Sequence, residues 1–361
     1  MTVHGEVAAG FAVVRDVFAG IVRREEGTGA AVAIWHDGRW VVDLWGGHAD
    51  AARARPWERD SIVMPYSVSK PFAAMAALTL VDRGLLDLDV PVQRHWPQLE
   101  TPATVRQLLS HQVGLVALRE PAPTSLLLDW TALCDRLGTE AALWASGEAI
   151  GESALFYGHL VGELVRRVDG RDVGRFLREE VCGPAGIDFS VGLDDGELDR
   201  AVELTGLEGL ADQVHDPTRP ELLRRALLNP PGALDAAVVN SREFRSAQVP
   251  AINGHGTARA VAGLYAALLQ GELLHPDLRD EAIRPQATGV DRVMGGEPRS
   301  WGLGFGVDEW GFGMGGIGGS GGVACPGGGY ALAFVTGSLG SHDRLDLLER
   351  AFREVIGLPA V

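Results

Sequence analysis

The sequence predicts an α+β fold: one antiparallel sheet built from both ends of the chain, with a mostly helical lobe inserted between them. Two observations carry this prediction. Strand-like apolar runs fall near the termini, at residues 30–35, 40–45 and 330–336. Between about residues 84 and 250 the reading is mostly helical, broken by Pro- and Gly-rich loops.

Taken in order, Val7, Phe11, Val14, Phe18 and Val22 recur at steps of three and four, which predicts an amphipathic helix over residues 6–25. Residues 30–35 and 40–45 flank His36-Asp37-Gly38-Arg39, a hairpin with an Asp-Gly turn that Gly46-Gly47 closes. From Ser67 to about Arg83 the pattern turns helical. Pro71 fits only if that helix starts near Ser67, because proline belongs in a first turn. Thr104 caps a helix over 104–109, and residues 157–168 form an amphipathic helix ended by Asp169-Gly170. Loops follow at Pro230-Pro231-Gly232 and Asn253-Gly254-His255-Gly256, then a helix over 257–270. Residues 311–329 hold glycine at more than half of their positions. A buried strand over 330–336 and a closing helix over 344–356 complete the chain, with no internal repeats.

Composition narrows the function classes. The 361 residues are 46% hydrophobic, enough for a large core. A formal charge of −16 argues against nucleic-acid or anionic-membrane partners, which require basic surface. Apolar runs such as 73–81 are too short to span a bilayer. Cys134, Cys182 and Cys325 are far apart and odd in number, which fits a reducing cytoplasm, and no signal peptide is evident. The ten histidines lack ligand spacing, so neither a metal nor another cofactor is expected.

The chain has a single lysine, Lys70, in Ser67-Val68-Ser69-Lys70; the other 31 of its 32 Lys and Arg residues are arginine. Arginine stays protonated at any working pH, whereas a desolvated lysine amine can lose its proton and act as a base. Three residues make nearly one helical turn, so Ser67 and Lys70 project from one face. Ser-x-x-Lys is a nucleophile-plus-base arrangement.

That motif is followed by Leu85-Leu86-Asp87-Leu88-Asp89, Thr104-Val105-Arg106-Gln107-Leu108-Leu109-Ser110-His111, Gly114-Leu115 and Trp144-Ala145-Ser146-Gly147. Asn253-Gly254-His255-Gly256-Thr257-Ala258-Arg259 and Trp301-Gly302-Leu303-Gly304-Phe305-Gly306 come later. The ordered set, spanning essentially the whole chain, resembles the class C β-lactamase-like serine hydrolases, and more narrowly their bacterial carboxylesterase branch. The resemblance implies a single domain over 1–361, with a sheet lobe over about 1–66 and 256–361, a helical lobe over about 67–255, and the active site between them. It also implies an acyl-enzyme mechanism. Ser67 attacks an ester or amide carbonyl, Lys70 helps remove its proton, and the oxyanion sits between the backbone N–H groups of Ser67 and Ile317. Met314-Gly315-Gly316 then borders the substrate, and Trp301 and Phe305 are candidates to line the acyl pocket.

Two positions depart from the family pattern. A gap-free alignment from Trp144 puts Glu152 where the esterase branch carries tyrosine; Tyr157, five residues on, is the other candidate and a possible substrate contact. Met314 replaces the polar or cationic group of the Lys-Thr-Gly or His-x-Gly motif. A carboxylate beside Lys70 favours its ammonium. Glu152 is then either the general base, with Lys70 as counter-charge, or a ligand for a cationic amine, with Lys70 still the base. The leading expectation is hydrolysis of a small-molecule ester or amide. The alternatives are acyl transfer to an amine or alcohol in secondary metabolism, and a non-catalytic ligand-binding homologue. The sequence leaves oligomeric state open.

Overall fold

A computed structural model describes residues 2–24 and 27–359. Glu25, the last residue of the predicted first helix, lies outside them. Among the described residues there are eleven strands: β1 (Val3–Val7), β2 (Ala30–His36), β3 (Arg39–Gly46), β4 (Phe189–Val191), β5 (Gly254–Gly256), β6 (Ala287–Gly289), β7 (Arg299–Trp301), β8 (Gly306–Val307), β9 (Phe312–Gly315), β10 (Gly321–Cys325) and β11 (Tyr330–Thr336). Nine of them form one sheet in the order β1-β3-β2-β11-β10-β9-β8-β7-β6, antiparallel at every pairing; β4 and β5 pair separately. The predicted α+β class, an antiparallel sheet flanked by helices, is what the structure contains. The two ends of the chain meet where β2 pairs with β11, from Ala30↔Thr336 to His36↔Tyr330.

Side-chain size explains the layering. On one face Val32, Ile34, Leu332 and Phe334 are covered by α1 (Ala12–Arg24) and α5 (Asp343–Val355), through Phe18, Val22, Leu348 and Phe352. On the other face Ala31, Ala33, Ala331 and Ala333 present small side chains. Helix α4 (Ala258–Gln270) lies on that face, against β2 and β11. Helix α2 (Lys70–Asp82) is buried on every side from Lys70 to Leu80, as a helix that is apolar all round must be. It packs against α3 (Tyr157–Asp169) in the mainly helical stretch between β3 and β5.

The hairpin turn has positive φ at both Asp37 (45°) and Gly38 (86°), the geometry its Asp-Gly pair predicts. The first element differs from expectation. Residues 3–7 are an edge strand on β3, and the helix begins only at Ala12. Val7 continues the helical stripe by spacing, but Gly10 adopts a φ of 96° and breaks the helix there, while the open edge of β3 supplies hydrogen-bond partners for residues 3–7. The glycine-rich stretch is also ordered, forming β9 and β10 in the sheet. An ideal Cβ at Gly322 would come within 2.5 Å of the Tyr265 ring on α4, so the helix can lie close only because the side chain is absent.

Candidate active site

Ser67 sits in a short 3₁₀ turn, Tyr66–Ser69, that runs directly into α2. Tyr66 has a φ of 51°, an unfavourable conformation for a bulky residue, and its hydroxyl donates to Ala233 O at 3.0 Å. Such strain persists only where surrounding contacts over-determine it. Ser69 is one of those contacts: its hydroxyl accepts from Gly254 N at 3.1 Å, tying the turn to β5. Asn253 shapes the loop before β5, accepting from Val249 N at 2.8 Å and donating to Phe244 O and Ala247 O at 2.8 Å each. This loop presents Ala251 O to the lysine.

Lys70 is fully buried, and its ammonium has three donors for three acceptors. Nζ lies 2.7 Å from Ser67 Oγ, 3.0 Å from Glu152 Oε1 and 3.3 Å from Ala251 O. Ser67 Oγ lies 3.2 Å from the same Glu152 oxygen. An ammonium only donates and a carboxylate only accepts, so the serine hydroxyl receives from Lys70 and donates its own proton to Glu152.

Glu152 is clamped through the backbone on both sides. Gly151 N donates to His111 O at 3.0 Å, Glu152 N to Asp291 Oδ2 at 2.9 Å, and Ser153 N to His111 Nδ1 at 3.4 Å. Asp291 is fully buried; it also accepts from Val293 N and Met294 N at 2.9 Å each and from the Trp301 indole at 3.4 Å. Burial pushes His111 down to about 3, so its ring is a neutral acceptor at Nδ1, packed between Tyr157 and Trp301.

Charge and burial oppose each other in the Lys70–Glu152 pair. Burial holds Lys70 below the ordinary amine range, with Glu152 pulling the other way. Burial alone would raise the Glu152 carboxyl, but the Lys70 charge, His111 and the hydrogen bonds from Lys70 and Ser67 bring it below the usual carboxylate range. Glu152 is therefore ionised at neutral pH, beside a lysine whose proton is easier to remove than usual.

Beyond the serine, β9 ends at Gly315 and the chain turns through Gly316 and Ile317. Gly316 N donates to Ser320 O at 2.7 Å. Among the described residues nothing accepts from the N–H of Ser67 or of Ile317. An ideal Cβ at Gly316 would lie 2.0 Å from Pro65 O and 3.4 Å from Ser67 N, so only glycine lets this turn approach the nucleophile turn so closely. Two free N–H groups beside a serine hydroxyl can receive the oxyanion of an acyl-transfer intermediate.

Ser67 and Glu152 open onto a cleft of about 860 Å³, walled by Tyr66, Leu155, Leu227, Ile252, Met294, Trp301, Met314 and Ile317. Met314 packs against Ile150 and Trp301, forming an apolar wall. The structure thus brings together Ser67, Lys70, Glu152, Trp301, Met314, Gly315, Gly316 and Ile317. Two expected substrate contacts lie elsewhere. Tyr157 is fully buried, with its hydroxyl on Leu109 O at 3.1 Å, because its helical position turns it into the core behind His111. Phe305 is also fully buried, edge-on to Phe312 with ring centroids 5.5 Å apart and near Tyr265. Sequence reasoning missed Asp291, Ala251, Tyr66 and the Leu227–Ile252 wall. No motif marks them, and Ala251 contributes only its carbonyl.

This sheet-and-helix frame, with a buried Ser-x-x-Lys pair at a helix start facing a strand-end turn, defines a β-lactamase-like protein. The Beta-lactamase family model matches residues 14–355, and the chain belongs to that family. It is 33% identical over 285 residues to the esterase/beta-lactamase LipL of Mycobacterium tuberculosis (strain ATCC 25618 / H37Rv), a match covering 74% of this chain and 65% of LipL. A family VIII carboxylesterase crystal structure is 32% identical with a TM-score of 0.87, covering 98% of this chain and 100% of that one. A penicillin-binding protein homolog from Caulobacter crescentus has the same identity, TM-score and coverages. No described helix is long and apolar enough to cross a membrane.

Proposed function

We propose that this chain is a serine hydrolase of small-molecule carboxylic esters or amides, acylated on Ser67. The observation that carries the reading is the three-way contact of Ser67 Oγ with Lys70 Nζ at 2.7 Å and Glu152 Oε1 at 3.2 Å, at the floor of an open cleft. Similarity to an esterase/beta-lactamase and to a carboxylesterase supports it. In the first step the Ser67 oxygen bonds to the substrate carbonyl carbon and the hydroxyl proton passes to Glu152. The oxyanion is held by the N–H groups of Ser67 and Ile317. Its collapse breaks the bond to the leaving group, which takes the proton back from Glu152. Water then attacks the acyl carbon with the same proton transfers, freeing the acid and Ser67. Lys70 stays an ammonium, as counter-charge to Glu152 and donor to Oγ.

The apolar walls of Leu155, Leu227, Ile252 and Met314 favour an aliphatic or aromatic acyl group. The test is intact mass after exposure to a fluorophosphonate or a p-nitrophenyl ester. One adduct per chain, absent in Ser67→Ala, is expected; a protein that no activated acyl donor labels is a ligand-binding homologue instead. Adding amines or alcohols to the ester reaction separates hydrolysis from acyl transfer by the products formed.

A further inference from the structure

The cleft holds a cation that the proposed mechanism does not use. Arg299 on β7 borders the cleft and is its sole Arg or Lys among the described residues. Its Nε is buried without a hydrogen-bond partner, and no carboxylate among the described residues lies within ion-pairing distance of its guanidinium. Nearby Arg292, by contrast, pairs with Glu148 at 3.1 Å. Alternation along a strand puts Arg299 on the same side as Trp301, about 7 Å further along β7. Trp301 in turn reaches Asp291, the acceptor of Glu152 N, so Arg299 and the residue that contacts this support share one strand of the cleft wall.

None of the carboxylates bordering the cleft forms an ion pair with this arginine. Glu152 is matched by Lys70, Asp308 accepts from Trp310 N and Gly311 N at 2.8 Å each, Glu349 accepts from the Tyr330 hydroxyl at 2.5 Å, and Glu297 is exposed to water. The net charge of −16 repels anions at long range, but salt screens that repulsion beyond about 8 Å. A half-buried guanidinium whose Nε is buried without a partner can receive a planar anion such as a carboxylate.

We infer that Arg299 is a specificity residue for an anionic substituent, so that the preferred substrate is a carboxylate-bearing ester or amide. The inference rests on the serine-hydrolase reading and deepens it. Arg299 supplies from β7 the cation that Met314 does not supply from β9.

Three probes test it: phenyl valerate (neutral), monophenyl glutarate (carboxylate on the acyl side) and 4-carboxyphenyl valerate (carboxylate on the leaving group). Dissociation constants are measured by calorimetry on Ser67→Ala, and kcat/KM on the unmodified enzyme. One charged probe is expected to bind about tenfold or more tightly than the neutral one, the scale of a hydrogen bond to a charged group. Arg299→Gln should abolish that preference, Arg299→Lys should keep part of it, and neutral-ester turnover should change little in either. No preference for either charged probe, or one that survives Arg299→Gln, overturns the inference. If no ester is turned over and Ser67 takes no label, the hydrolase reading fails, while the binding constants still decide the role of Arg299.

Discussion

A protonated Lys70 leaves the serine hydroxyl one acceptor, so Glu152 is the residue whose replacement should hurt acylation most directly. Glu152→Gln keeps the shape of the side chain but removes the charge and basicity, and should lower kcat by about 10²–10⁴-fold. The pH profile gives the sign. With Glu152 held below the ordinary carboxylate range, activity should stay flat from mildly acidic to neutral pH, then fall as rising pH takes the proton from Lys70. Were neutral Lys70 the base, the rate would instead climb through that same range. Asp291 is a positioning residue in this scheme. In Asp291→Asn one acceptor oxygen becomes an NH2 group, which meets either the N–H of Glu152 or those of Val293 and Met294, costing about 1–3 kcal/mol of stability. A purely structural role would lower Tm and leave the pH profile of the remaining activity unchanged; displacement of Glu152 should move its acid limb.

At the scale of elements, the β9–β10 turn approaches the nucleophile turn with no room for a side chain at Gly316. Gly316→Ala puts a methyl 2.0 Å from Pro65 O, where only backbone movement gives relief. Overpacking of this kind costs about 1–3 kcal/mol. Because the movement takes Ile317 N away from Ser67, single-turnover acylation should slow by about 10²-fold or more, the effect of losing one oxyanion donor. A variant that loses stability but acylates at the normal rate would place the oxyanion elsewhere. Such features separate what was legible in the sequence from what was not. The hairpin, the start of α2 and the terminal strands follow from turn chemistry, proline position and apolar runs, which act locally. The edge strand over residues 3–7 depends on the free edge of β3, and Tyr157 and Phe305 face the core because of packing partners far along the chain; no local pattern encodes either. Ser67 and Lys70 were readable because their side-chain chemistry and spacing mark them, and Glu152 because it stands at the family's tyrosine position counted from Trp144, whereas Ala251 contributes a carbonyl that every residue has.

Across the whole molecule, the site joins segments distant in the chain: Glu152 and Ala251 meet the Ser67–Lys70 turn across 85 and 181 residues. Ile317 arrives from the turn after β9 in the sheet. No single segment can hold this geometry in an unfolded chain, so a ligand bonded to Ser67 and to both N–H groups binds only the folded state. A reversible boronic acid meets that description, since its tetrahedral adduct on Ser67 Oγ carries the negative oxygen of the acyl intermediate. At about 100 times its Kd it should stabilise the fold by about 2.7 kcal/mol. With an unfolding entropy near 2.1 cal/mol/K per residue, that raises Tm by about 3–4 °C. Ser67→Ala should show no rise, and Gly316→Ala a smaller one, since the second donor has moved away. An equal shift in all three proteins would mean that the boronate binds away from Ser67 and that the two N–H groups do not act together.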